Sequence, residues 1–179
     1  LDAKRGDIGN TNNGYVTSIF DWLGFDAVTL HPYLGGESLQ PFLDRADKGC
    51  IIMGRNSNPG AGEFQDLLIG DKPLWQIVAE RVSKNWNKNK NCMLVVGATY
   101  PKDMKKIRSL VGDMTFLVPG IGAQGGRVAR SPRFPRGETG REIEGQTTLR
   151  YLQIHNTTIP QFVKKKFFTP FERGGSHDL

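Results

Sequence analysis

The sequence predicts an α/β fold built on parallel strands, from three observations. Four short apolar runs recur along the first 126 residues, stretches of helical period lie between them, and Gly or Pro closes each run. Continuous apolar runs suit strands covered on both faces, and strand–helix alternation builds βα units around a parallel sheet.

In chain order, the first segment is Leu1-Asp2-Ala3-Lys4. Taken as a strand, its side-chain period of two sets Asp2 and Lys4 on one face. Asn13 to Leu23 follows as a helix, with Val16, Ile19, Phe20 and Leu23 on one stripe. Ala27 to Leu30 is the first apolar run, bounded by Gly24 and by His31-Pro32, and Cys50 to Met53 is the second. Pro73 to Trp86 opens on a helix-favouring Pro and aligns Leu74, Ile77, Val78 and Val82. Met93 to Val96 is the third run. Pro101 to Val111 is a helix with Met104, Ile107, Leu110 and Val111 inward and its lysines outward, and Thr115 to Val118 is the fourth run. Trp22, Trp75 and Trp86 all fall on helix positions as packing residues. After Gly126 the grammar stops: Arg127 to Gly145 has no apolar period, Thr147 to Ile154 fits one strand, and Ile159 to Phe171 is basic and Phe-rich. The expected organisation is therefore a unit over residues 1–126 and a tail of unassigned, irregular structure over 127–179.

The 179 residues include 37% hydrophobic and 23% charged side chains, which excludes a fully disordered or collagen-like chain and fits one globular domain. No apolar run reaches the roughly 18 residues of a membrane span, and no signal peptide opens the chain. Cys50 and Cys92 lie in apolar runs and are too few for a disulfide scaffold, so buried, reduced thiols and a cytoplasmic protein are expected. The formal charge of +6 invites a nucleic-acid partner until it is located. Residues 1–126 carry 14 basic and 13 acidic side chains, whereas residues 127–179 carry 10 and 5. A basic nucleic-acid-binding protein would have only the tail to work with. For the near-neutral unit, neither nucleic acid nor membrane is an expected partner.

Every cluster with chemistry follows a strand, where barrels and open α/β sheets place their ligands. Asp2 and Lys4 set a carboxylate beside an ammonium, with Asp7 in the next loop. Opposite charges so placed keep one another ionised and position a lysine as a proton donor, while the plainer reading is a solvated turn. Val118 to Gly126 is Gly-rich and includes Pro119, Gly122, Gln124 and Gly125. Successive N–H groups there make an anion nest fit for phosphate, or simply a tight turn. No Lys-Ser/Thr pair follows, so it is not a P-loop. Gly54 to Ala61 is dense in hydrogen-bonding side chains, suited to a polar heterocycle or to an ordinary turn. His31 is a lone histidine without ligand spacing, a structural residue rather than a metal ligand.

Together and in this order, the stretches resemble the orotidine 5′-phosphate decarboxylase family, in its bacterial branch of longer chains. The matching residues are Leu1-Asp2-Ala3-Lys4-Arg5-Gly6-Asp7-Ile8-Gly9-Asn10-Thr11, Asp26 to Tyr33, Asn56-Ser57-Asn58-Pro59-Gly60-Ala61, Phe64-Gln65, Val95 to Thr99, and Phe116 to Gly126. The resemblance implies part of a (β/α)8 TIM barrel, about strands 3 to 7 with their helices, working as a homodimer without metal or organic cofactor. It implies conversion of orotidine 5′-phosphate to UMP and carbon dioxide in pyrimidine biosynthesis. Asp2 would press on the substrate carboxylate and keep Lys4 ionised, and Lys4 would protonate C6. Asp7 and Thr11 would reach into the partner's site, Ser57 would read the pyrimidine, and Pro119, Gly122, Gln124 and Gly125 would hold the phosphate. The Asp-x-Lys-x-x-Asp pattern is shared with sugar-phosphate decarboxylases of the same superfamily, which stay open as the alternative.

The chain departs from the family pattern at both ends. It opens on the third barrel strand, so the family's first-strand Asp and second-strand Lys are missing from it. After Gly126 the expected Asn-Ser-Ser-Arg stretch, whose Arg clamps phosphate, has no match. A shifted reading frame or chimeric assembly accounts for 127–179, with a divergent tail as the alternative. The 179-residue chain by itself is expected to be inactive.

Overall fold

The structure, a computed structural model, describes residues 1–121 and 151–152. A five-stranded parallel sheet organises it, from β1 (Ala27–Leu30), β2 (Gly49–Arg55), β5 (Cys92–Val96), β6 (Phe116–Leu117) and β7 (Tyr151–Leu152), hydrogen-bonded in that order. The expected fold class holds: this is α/β with parallel strands. The N-terminal segment lies beside β1, with Arg5 bridging Leu30 in parallel. Between the strands run α1 (Gly9–Val16), α2 (Gly35–Leu43), the short α3 (Gly62–Gln65), α4 (Leu74–Arg81) and α5 (Pro101–Val111), and a small antiparallel hairpin pairs β3 (Leu68–Ile69) with β4 (Lys72–Pro73). Tyr151–Leu152 falls inside the stretch expected to form one strand and pairs with Phe116–Leu117. The rest of residues 122–179 lies outside the described residues.

Strand alternation sorts the side chains into two layers. Val28, Leu30, Cys50, Ile52, Leu94, Val96 and Phe116 face the helices and join Leu39, Phe42, Ala79, Val82 and Ile107 in the main core. Ala27, Ile51, Met53, Val95 and Leu117 face the other way and form a second cluster inside the curve of the sheet. Each fully buried aliphatic chain here contributes about 1.5–3 kcal/mol. The apolar runs lack a polar–apolar alternation because both faces are covered.

Several elements differ from expectation. The helix foreseen from Asn13 starts earlier, at Gly9, and widens over Thr17–Trp22 into a π-helical stretch, closed by Leu23 N donating to Ser18 O at 2.9 Å. Pro73 lies just before α4 as its N-cap, in β4, and that helix widens likewise over Val82–Trp86. Helix α2 was not foreseen, because its Gly35-Gly36 start and internal Pro41 both signal a break. Trp75 is buried and Trp86 packs against the core as expected, but Trp22 is 85% exposed at the end of the widened helix. Among the described residues no helix is long and apolar enough to cross a membrane.

Candidate functional site

Because the strands are parallel, the segments after β2, β5 and β6 emerge on one side of the sheet. The N-terminal segment is not the regular strand its alternation suggested. Thr29 N donates to Leu1 O at 3.0 Å, and the next rung to Thr29 is Arg5 N onto Thr29 O at 2.9 Å, so residues 2–4 bulge between two rungs. Lys4 sits at φ 48°, in the left-handed region that a non-glycine residue rarely takes. The bulge, rather than a shared strand face, brings the two charges together: Lys4 Nζ donates to Asp2 Oδ1 at 2.7 Å. Thr29, 1% exposed, donates its hydroxyl to the same Oδ1 at 2.9 Å and accepts from Lys4 N at 2.9 Å. The hydrogen bond from Lys4, aided by Thr29, holds the Asp2 carboxyl below its ordinary range against a partial desolvation that raises it.

Asp7 is not joined to this pair. Its Oδ1 accepts from Ile8 N at 2.7 Å, at the entry of α1, and Thr11 is exposed on that helix. The loop carrying Asp7 is tied down by Asn12, a fully buried residue that sequence reasoning missed. Asn12 Nδ2 donates to Asp7 O and to Ser38 O, both at 2.6 Å, while its Oδ1 accepts from Asp7 N at 3.1 Å. An Asn inside a helix whose amide is wholly used by backbone groups serves placement, and only the fold reveals it.

Three further strand ends are laced together. Gly97 N donates to Arg55 O at 2.7 Å, Thr99 Oγ1 to Ser57 O at 3.1 Å, and Ala98 N to Pro119 O at 2.9 Å. A Cβ at Gly97 would stand 2.7 Å from Ser57 Cα, so only glycine lets the Ser57 loop lie this close to the end of β5. Ser57 and Pro119 thus sit on adjoining loops. Gly122, Gln124 and Gly125 lie outside the described residues.

A second unforeseen feature anchors the Ser57 loop. Arg55 is 2% exposed; its Nε donates to Asp103 Oδ2 at 3.0 Å and a terminal nitrogen to Asp66 Oδ2 at 3.1 Å. Its guanidinium lies 3.7 Å from the centroid of the Tyr100 ring. Gln65 Oε1 accepts from Asn56 N at 2.9 Å, next to that guanidinium. In sequence Arg55 looks like one more polar loop residue, because Gly54 reads as the close of the apolar run Cys50 to Met53, whereas the strand continues through it to Arg55. His31 is exposed at the end of β1. Cys50 and Cys92 are free and buried as expected, and burial pushes both thiols up, Cys92 to about 12, which leaves them inert. Among the described residues no three His, Cys, Asp or Glu side chains gather to hold a metal.

Residues 1–131 match the family described as orotidine 5′-phosphate decarboxylase / HUMPS. A relative from Herpetosiphon aurantiacus, named orotidine 5′-phosphate decarboxylase, is 54% identical over 129 residues, 72% of this chain and 48% of the relative. One of the same name from Janthinobacterium sp. is 46% identical over 159 residues, 88% of this chain and 59% of the relative. The solved structure of Leishmania donovani UMP synthase superposes with a TM-score of 0.69 at 48% identity, covering 70% of this chain and 28% of that one. The chain spans about half the length of the curated relatives it matches.

Proposed function

This chain belongs to the orotidine 5′-phosphate decarboxylase / HUMPS family, the part of a (β/α)8 barrel it folds into being that family's, and from this membership we propose that the whole protein decarboxylates orotidine 5′-phosphate to UMP. The observation that carries the reading is the Lys4–Asp2 pair, 2.7 Å apart at the strand ends where α/β folds bind their ligands. Loss of carbon dioxide from C6 of the pyrimidine leaves an electron pair on that carbon. A lysine already ionised beside it stabilises the developing charge without reorganisation and then delivers its proton to C6. Asp2 accepts from Lys4 Nζ and, set against the substrate carboxylate, raises the energy of the ground state relative to the transition state.

In this reading Ser57 contacts the pyrimidine edge, and the loop opened by Pro119, with Gly122, Gln124 and Gly125, receives the phosphate. Asp7 and Thr11, on the loop and helix fixed by Asn12, reach the ribose of a partner subunit's site in a homodimer. The chemistry asks for no metal or organic cofactor, and a cytoplasmic setting goes with a soluble nucleotide substrate. Tyr151–Leu152 beside β6 supports a tail that returns to the same sheet after the unit of residues 1–126.

The test is turnover by the full-length protein of orotidine 5′-phosphate, followed as UMP formed, beside a carboxylated sugar phosphate. Conversion of the nucleotide alone is the expected result. Turnover of the sugar phosphate alone would move the assignment to the sugar-phosphate decarboxylases of the superfamily.

A further inference from the structure

Resting on that reading, we propose that Thr29 is a positioning residue for the proton donor, its hydroxyl setting both the Asp2 carboxylate and the Lys4 backbone. Thr29 shares the inner face of the sheet with an apolar cluster, Ala27, Ile51, Met53, Val95 and Leu117, of which Ile51 is its register partner. A hydroxyl 1% exposed on such a face must be hydrogen-bonded, and both of its bonds go to the same short bulge. Its single proton goes to Asp2 Oδ1 and its oxygen receives Lys4 N, each at 2.9 Å. The backbone of the same residue holds the bulge at its two ends, through Leu1 O and Arg5 N. Residues 2–4 are therefore folded around one side chain.

The placement matters because Lys4 lies at φ 48°, a backbone region that disfavours a residue bearing a Cβ. Without the hydroxyl, Lys4 N loses its part-buried acceptor, and the bulge can relax toward the regular extended strand. In a regular strand the Lys4 side chain would leave from a different point and direction. Asp2 would also lose one of the two donors on Oδ1, the other being Lys4 Nζ at 2.7 Å. Thr29 touches neither reacting atom in this arrangement. It acts through Asp2 and Lys4.

Thr29→Val keeps the shape and removes the hydroxyl, while Thr29→Ser keeps the hydroxyl and removes the methyl. In the full-length protein, Thr29→Val should lower kcat on the order of tenfold, the cost of losing a hydrogen bond to a charged group, with KM changed less than about twofold. Thr29→Ser should restore most of kcat. The carboxyl carbon of Asp2, followed by NMR titration, should move up toward the ordinary carboxylate range in Thr29→Val and stay in place in Thr29→Ser. The charged side chain facing Asp2 is that of Lys4, and neither substitution alters it. Thr29→Ala, which also lacks the hydroxyl, stands in if the valine variant does not fold. Equal kcat and an unmoved Asp2 titration in the hydroxyl-free variant overturn the proposal. So does an equal loss in Thr29→Ser, which would make the residue a packing element. If the wild-type protein turns over no orotidine 5′-phosphate, the proposed function fails, and the Asp2 titration still decides the role of Thr29.

Discussion

Asp2 and Lys4 meet at 2.7 Å with 55% and 45% of their side chains in solvent, whereas Arg55 meets Asp103 and Asp66 at 3.0 and 3.1 Å with 2% of its own exposed. Both clusters stand at strand ends and both pair a base with carboxylates. Solvent separates their roles. An ion pair open to water and salt adds almost nothing to stability, so its residues stay available for a substrate that displaces the water. A buried guanidinium, stacked on Tyr100 and bonded to two carboxylates, cannot be approached by a ligand and cannot be left unpaired without a large cost. The first cluster is open to a ligand, and the second is suited to fixing the loop that carries Ser57.

The contrast can be broken most severely at Arg55. Arg55→Met should lower unfolding free energy by about 3 kcal/mol in urea titration, since it strips a buried hydrogen-bonded charge from its partners. Asp103→Asn keeps the shape but weakens one bond, and should cost about 1–2 kcal/mol in the same measurement. Lys4→Met should change stability by less than about 0.5 kcal/mol, because the pair it breaks is half in solvent. The smallest effect is the pH dependence of Asp2. Its folded carboxyl titrates below the unfolded one, so its contribution is complete above about pH 4 and is lost as pH falls through the folded value. Discounted for exposure, that is about a few tenths of a kcal/mol, and Asp2→Asn should trail the wild type slightly near pH 7 and converge on it as pH falls through the folded value. Equal destabilisation by Lys4→Met and Arg55→Met would erase the distinction between the two clusters.

What the sequence made legible follows the same physical division. Helix α5 was foreseen with its observed ends, Pro101 and Val111, because a first-turn Pro, a clean apolar period and Gly112 agree locally. The strand Ala27–Leu30 was legible for the same reason. Helix α2 was hidden by Gly35, Gly36 and Pro41, which local rules read as breaks and tertiary packing of Leu39, Phe42 and Leu43 overrode. In the site, Asp2 and Lys4 were visible as a charge pattern, but the bulge that joins them depends on rungs to Thr29, far along the chain. Thr29 itself passed as part of an apolar run. Arg55 passed as a loop residue and Asn12, one residue before the expected helix, drew no reading, since nothing nearby in sequence says that a polar side chain will be buried among distant partners.

In the proposed function Lys4 delivers the proton, and its half-exposed pair contributes little to the fold. The most direct test is the rate of UMP formation from orotidine 5′-phosphate by full-length wild-type protein and by Lys4→Met, with unfolding measured on both. Lys4→Met should lower the rate by about a thousandfold or more, the span of general acid catalysis together with charge stabilisation, at nearly unchanged stability. A folded Lys4→Met protein that still forms UMP at the wild-type rate would contradict that role for Lys4.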